Sequence, residues 1–251
     1  MTDRPRPSLV SRLASRARAY ELTRRLERVA RFVNAPEREV RAWYREWERA
    51  TNGANTLDLE LYLIVRGLRP ALVLETGVNR GHSSAATLRA MYDGAFAGRL
   101  VSIDLPTHDP RGRTNSDGRH DGAFVPSGMT GCEVPAYLRG PWTLTLGDAR
   151  EELARCARAG MRPDLFFHDS DHSYAHQRFE YEWAIANLAP GGVLASDDTN
   201  WTSAYRDVVL PRALASLTWS PSTPQRGAAR IAGRDLARFA TASAEASYSP
   251  L

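Results

Sequence analysis

The spacing of apolar residues along this chain changes once, near residue 70. Before that point Leu22, Leu26, Val29 and Val33 recur at three- and four-residue intervals, the repeat of a helix with one buried face. Ala35-Pro36-Glu37-Arg38-Glu39 then places proline at a helix start with acids in its first turn. That second helix carries Trp43, Tyr44 and Trp47, residue types more often found in a core than in a pocket. Asn52-Gly53 breaks it, and a third helix is predicted over Leu57 to Gly67. After residue 70, short apolar runs alternate with helical stretches. Strands are predicted at 71–74, 100–103, 142–146, 165–167 and 191–196, with helices over 83–92, 151–159 and 177–188 between them. This alternation predicts an α/β fold with a doubly wound, mostly parallel sheet of Rossmann-like type behind an N-terminal helical extension. The end of the chain is less regular: a helix near Val208 to Leu217, then two strands around Thr218 and Arg230-Ile231. The expected organisation is an Arg-rich helical extension over 1–56, one α/β domain over 57–240, and a flexible tail over 241–251.

Composition changes this picture little. The chain has 251 residues, 43% of them hydrophobic and 25% charged, ordinary for a globular protein. No run approaches the roughly 20 apolar residues of a membrane span, and the N-terminus lacks a signal-peptide apolar region. Cys132 and Cys156 make neither a disulfide framework nor a metal cluster, so a reducing cytoplasm is the expected location. All 33 basic residues are arginine. Residues 1–50 hold 13 Arg against 7 acids, a net of +6, which leaves −2 for the rest of a chain at +4. Glu21, Glu27, Glu37, Glu39, Glu46 and Glu48 interleave with these arginines, the pattern of solvated helix faces. Neither nucleic acid nor membrane is therefore an expected partner, while a homodimer through these helices remains open.

The candidate chemistry lies at the predicted strand ends, where open α/β sheets bind ligands. The first strand runs into Glu75-Thr76-Gly77-Val78-Asn79-Arg80-Gly81, the second ends at Asp104, and the third at Gly147-Asp148-Ala149. The fourth ends at His168-Asp169-Ser170-Asp171-His172-Ser173-Tyr174, and the fifth at Asp197-Asp198-Thr199-Asn200-Trp201. One acidic strand end is what any cap or turn supplies; five on one sheet edge make a site. Two glycines four apart allow close backbone approach to a ligand at a helix start. The turn lacks the third glycine of a dinucleotide fingerprint, and Glu75 would repel a pyrophosphate but suit a cation. Asp104, with two acceptor oxygens, suits a ribose diol. S-adenosylmethionine (SAM) is both cationic and ribose-bearing. Between the second and third strands, 107–131 is rich in Gly, Pro, Asp and Arg, and a loop of that length is expected to form a lid or wall.

From about residue 70 to 205 the chain resembles the class I SAM-dependent methyltransferases. Within that class it is most similar to small-molecule O-methyltransferases of the catechol and caffeoyl-CoA kind, and to a looser group of bacterial natural-product and sugar O-methyltransferases. Glu75-Thr76-Gly77-Val78-Asn79-Arg80-Gly81-His82-Ser83 matches their Glu-x-Gly-x-x-x-Gly-x-Ser loop. The resemblance implies that this loop wraps the methionine part of SAM, with Ser83 at its carboxylate. It further implies Asp104 on the ribose and Asp148-Ala149 by the adenine. Asp169, Asp197 and Asp198 fall on the family's metal triad, with Trp201 matching a following tryptophan. In two places the chain departs from the pattern: Asp198 replaces an asparagine, and His172 stands where the family has a catalytic lysine. Three carboxylates at adjacent strand ends suit Mg²⁺, Mn²⁺ or Ca²⁺. Such an ion would hold a hydroxyl of a small-molecule acceptor while His172, an imidazole, took its proton beside Asp169. Helix and turn capping by Asp171, His172 and Asp198 is the competing account. His168, His176 and Tyr174 are expected to pack or face solvent. Three functions stay open: metal-assisted O-methyl transfer, metal-independent transfer or SAM-fold hydroxylation, and a non-catalytic nucleotide-binding or interaction protein.

Overall fold

In a computed structural model of the protein, the structure describes residues 9–51, 58–106, 125–126, 128–219 and 225–232. Three helices come first: α1 (Leu9–Val33), α2 (Glu37–Thr51) and α3 (Leu59–Leu68). The α/β part follows as β1 (Leu72–Thr76), α4 (His82–Asp93), β2 (Arg99–Asp104), β3 (Trp142–Leu146), α5 (Ala149–Arg158), β4 (Leu165–His168), α6 (Tyr174–Asn187) and β5 (Val193–Ser196), closing with β6 (Ala213–Thr218) and β7 (Gly227–Ile231). The seven strands lie in the order β3-β2-β1-β4-β5-β7-β6. All pairings from β3 to β5 are parallel, and β7 runs antiparallel to both β5 and β6.

The expected Rossmann-like, mostly parallel seven-stranded sheet is present, with one correction at its end. The helix predicted over Val208 to Leu217 is a π turn (Tyr205–Val209) and a 3₁₀ turn (Leu210–Arg212), and strand β6 begins at Ala213. Pro211 cannot continue a helical ladder, and Ala213 to Thr218 then pair with β7.

Helices cover both sheet faces, so the apolar residues of the central strands find a partner layer. One core cluster joins Leu26, Val29, Phe32 and Val33 of α1 and Val40 and Trp47 of α2 to Tyr62 and Ile64 of α3 and to Val73, Leu100 and Phe167 of the sheet. The other packs Leu74, Ile103, Phe166 and Leu194 against Leu153 of α5 and Tyr181 and Trp183 of α6. Trp43 and Tyr44 also rest on the first cluster, which gives the aromatic triplet of α2 a packing role. Among the described residues no helix is long and apolar enough to cross a membrane.

Candidate active site

The parallel register places the site. Thr76 pairs with Ile103 and His168, His168 with Ser196, and Asp104 with Leu146. The residues just beyond these positions, Gly77, Asp104-Leu105, Gly147-Asp148, Asp169 and Asp197, therefore meet along one carboxyl edge of the sheet.

The turn after β1 is built for close approach. Gly77 sits at φ +79°, and a Cβ there would fall 1.8 Å from the Asp169 carbonyl oxygen. Only glycine lets the β1 and β4 ends come this near. Gly81, at φ +96°, caps α4, and a Cβ on it would press on Val134 at 2.7 Å. Asn79 is also left-handed, at φ +50°; its carbonyl accepts from the Gly131 amide at 2.8 Å, and the Arg80 carbonyl accepts from the Glu133 amide at 2.9 Å. Glu133 pairs with both Arg80 and His82. The chain leaving the expected lid is thus anchored on the glycine turn, while residues 107–124 of that lid lie outside the described residues.

Glu75 requires a correction. Its carboxylate does not face a ligand: it is buried and accepts hydroxyl hydrogen bonds from Ser83, Ser84 and Ser102, each at 2.6 Å. Burial pushes its pKa up, against the pull of the three serines. It is an internal clamp binding β1, β2 and the first turn of α4. The Ser83 hydroxyl is committed to this clamp and buried.

Asp104 keeps its place at the β2 end. One carboxylate oxygen accepts the amides of Val78 (3.2 Å) and Asn79 (2.8 Å), and the other that of Leu105 (2.8 Å). Three backbone donors take up most of the roughly four acceptor sites of the carboxylate, and they tie the would-be ribose acid to the glycine turn. Asp148 is the N-cap of α5, accepting from the Arg150 amide at 2.8 Å; Ala149 follows it as the first helical residue. The positive-φ glycines, the α4 N-terminus, Asp104 and the β3 end together fit an elongated cofactor lying across the first three strand ends.

At the β4 and β5 ends stands His172, buried, with Nε2 3.8 Å from Asp169 Oδ1 and Nδ1 3.8 Å from Asp198 Oδ2. The Trp201 ring lies 5.9 Å from it, centroid to centroid. Burial and the neighbouring Asp197 charge push the Asp169 carboxyl well above the usual range. The structure thus brings His172, Asp169 and Asp198 together, while Asp171 caps the Ser173 amide at 2.7 Å.

The divalent-ion site does not fit this geometry. The Arg226 guanidinium forks onto both Asp197 oxygens, Nε to Oδ1 at 2.7 Å and Nη2 to Oδ2 at 2.9 Å. Asp197 Oδ1 also accepts the Asp198 amide at 2.9 Å. Among the described residues no group of three His, Cys, Asp or Glu side chains is placed to hold a metal ion. The expected triad of Asp169, Asp197 and Asp198 is corrected accordingly: the central carboxylate already has its cation.

Two residues central to this edge carried no sequence expectation, Arg226 and Glu180. Glu180, fully buried in α6, accepts from Thr76 Oγ1 (2.6 Å), His168 Nδ1 (2.6 Å), Ser170 Oγ (2.9 Å) and His176 Nε2 (2.8 Å). These donors hold its carboxyl far below the usual range despite burial. In return Glu180 raises the His176 pKa, and burial lowers that of His168. His176 and Glu180, four apart on one helix face, were the available signal.

A family profile described as "Methyltransferase domain" matches residues 74–199, half of the chain and all five parallel strand ends. The chain belongs to the methyltransferase domain family. Its fold is that of the class I SAM-dependent methyltransferases. The calicheamicin methyltransferase CalS11 has a similar structure (TM-score 0.53, 21% identity, covering 83% of this chain and 91% of that one). A putative O-methyltransferase from Klebsiella pneumoniae is also similar (TM-score 0.50, 18% identity, 84% and 90% covered). No curated protein sequence gives a significant match. Within this methyltransferase the glycine turn, Asp104 and the β3 end lie along one part of the sheet edge, and His172, Asp169 and Trp201 along the other.

Proposed function

We propose that this methyltransferase moves a methyl group from SAM to a hydroxyl oxygen of a small molecule, with His172 as general base and without divalent-ion assistance. The observation that carries the reading is His172, a buried imidazole 3.8 Å from each of two carboxylates and walled by Trp201, beside the cofactor edge. When bound, SAM supplies a methyl group on a positively charged sulfur, whose transfer leaves S-adenosylhomocysteine. Gly77, Asn79 and Gly81 would hold its methionine end, Asp104 its ribose, and Asp148-Ala149 the region of its adenine. His172 accepts the acceptor's hydroxyl proton at a ring nitrogen, and the Asp198 carboxylate beside Nδ1 stabilises the imidazolium that results. A hydroxylated natural product or sugar is the acceptor class we favour, in keeping with the motif resemblance.

The test is a methyl-transfer screen against hydroxylated polyketides, catechols and sugars, read by mass spectrometry of the product. With an acceptor in hand, His172→Gln keeps size and one hydrogen bond but removes the base. Its rate should fall about 10²–10⁴-fold, with residual activity rising as hydroxide replaces imidazole at high pH. A wild-type rate under chemistry-limited conditions would remove His172 from the mechanism.

A further inference from the structure

The position of Arg226 follows from sheet register. In the antiparallel β5–β7 pair Ser196 faces Gly227, so the next pair outward is Asp197 with Arg226. The loop after β5 fastens the same place: Thr199 N–H donates to the Gln225 carbonyl at 2.7 Å, and Asn200 Oδ1 accepts the Gln225 amide at 3.0 Å. The guanidinium is therefore delivered by backbone pairing rather than by a mobile side chain alone. It forks onto both oxygens of Asp197 and sends Nη1 to Asp58 Oδ1 at 2.9 Å. All three side chains are nearly closed to solvent, at 12% for Arg226, 11% for Asp197 and 5% for Asp58. A two-pronged guanidinium–carboxylate pair in such surroundings is geometrically specific and strongly held.

We propose that Arg226 is the resident cation of this active site, standing where a divalent ion would need to sit and holding Asp197 in place of it. The inference rests on the methyl-transfer reading only for its catalytic consequence; its core claim concerns which cation the aspartates carry. A guanidinium donates hydrogen bonds but accepts no lone pair, so it cannot act as a Lewis acid on an acceptor hydroxyl. Arg226 is a positioning residue: it fixes Asp197 and, through Asp58, ties the β5 end to the start of α3. Proton removal from the acceptor is left to His172, and the loss in His172→Gln then belongs at the larger end of the general-base range.

The experiment needs no acceptor. The full chain is titrated with Mn²⁺ and bound ion is read by electron paramagnetic resonance, with SAM binding measured in parallel by calorimetry in EDTA. We expect no bound Mn²⁺ in the wild type up to about 1 mM, the weak end for carboxylate sites, and SAM affinity indifferent to chelator. Arg226→Gln frees the Asp197 carboxylate and should take up one Mn²⁺ per chain, lost again when Asp197→Asn is added. Arg226→Lys keeps a positive charge and should still exclude the ion. One Mn²⁺ bound to the wild type at sub-millimolar concentration overturns the proposal, as does a folded Arg226→Gln that gains none. Should Arg226→Gln not fold, the wild-type titration decides. Failure of SAM to bind would instead defeat the methyl-transfer reading and leave the Mn²⁺ result standing.

Discussion

Replacing Glu180 by Gln removes one negative charge from a fully buried cluster while keeping the side chain's size. Four donors converge on this carboxylate, two per oxygen, at 2.6–2.9 Å. Hydrogen bonds to a charged acceptor contribute about 1.5–3 kcal/mol each and neutral ones about 0.5–1.5, so each bond loses roughly 1 kcal/mol. Whichever of the Thr76 and Ser170 hydroxyls faces the new amide nitrogen can turn to accept from it, which recovers part of that loss. The expected destabilisation is about 2–4 kcal/mol, or about 5–15 °C in melting temperature for a chain of this size. The pH dependence is the sharper signature. The His176 pKa is raised in the folded state, so its contribution is complete below the unfolded value near 6.5 and fades as pH climbs through the folded one. The Glu180 pKa is depressed, so its contribution is complete above about 4.3 and is lost only as pH falls towards the folded value. Urea unfolding followed by tryptophan fluorescence should therefore show a larger deficit for Glu180→Gln at pH 6 than at pH 9. A deficit below about 1 kcal/mol at pH 6, or one that ignores pH, would refute the charge argument.

Three further outcomes are expected. Gly77→Ala forces a Cβ to within 1.8 Å of the Asp169 carbonyl at φ +79°; it should lower the melting temperature by several degrees, about 1–2 kcal/mol coming from backbone strain alone, and abolish SAM binding by calorimetry. A melting temperature and affinity like the wild type's would count against the close β1–β4 approach. Asp104→Ala should weaken SAM binding by about 1.5–3 kcal/mol, through loss of the diol acceptor and of the amides it gathers; unchanged affinity would sink the ribose assignment. Glu60 is buried in α3, paired with Arg25, and burial lifts its pKa to about 7. A carboxyl raised in the folded state favours folding at low pH, so stability should fall by roughly 3 kcal/mol between pH 4 and 8 on its account. Glu60→Gln should flatten that slope in chemical denaturation, and an unaltered slope would assign it elsewhere.

What the sequence made legible divides along the range of the forces involved. The central parallel strands declared themselves because they are buried on both faces and read as apolar runs, as Leu72 to Leu74 and Leu165 to Phe167 do. Their polar ends followed by simple counting, and with them Asp104, Asp169 and His172. The β6 strand was not legible: Val208, Val209 and Leu210 continue a helical repeat until Pro211, and β6 itself lies at the sheet edge with most side chains half-buried or exposed. Glu75 was misjudged because a carboxylate beside a glycine turn looks the same in sequence whether it points to ligand or to serines. Ser83, Ser84 and Ser102 could not be gathered around it until α4 and β2 were placed.

Arg226 marks the limit of such reading, and also explains it. As one of 33 arginines it has no local signature; its meaning comes from a pairing across 29 residues that only the β5–β7 register creates. The Asp169, Asp197, Asp198 pattern is a statement about three negative charges, and it is silent on what neutralises them. Close carboxylates at a dry sheet edge demand a cation, and a metal ion and a forked guanidinium meet that demand equally well in electrostatic terms. They differ in chemistry, because only the ion can bind an acceptor oxygen. A motif that fixes the ligands therefore leaves the mechanism open at this point, and under the proposed reading the identity of the cation, supplied by the antiparallel strand, decides how much of the activation must come from His172.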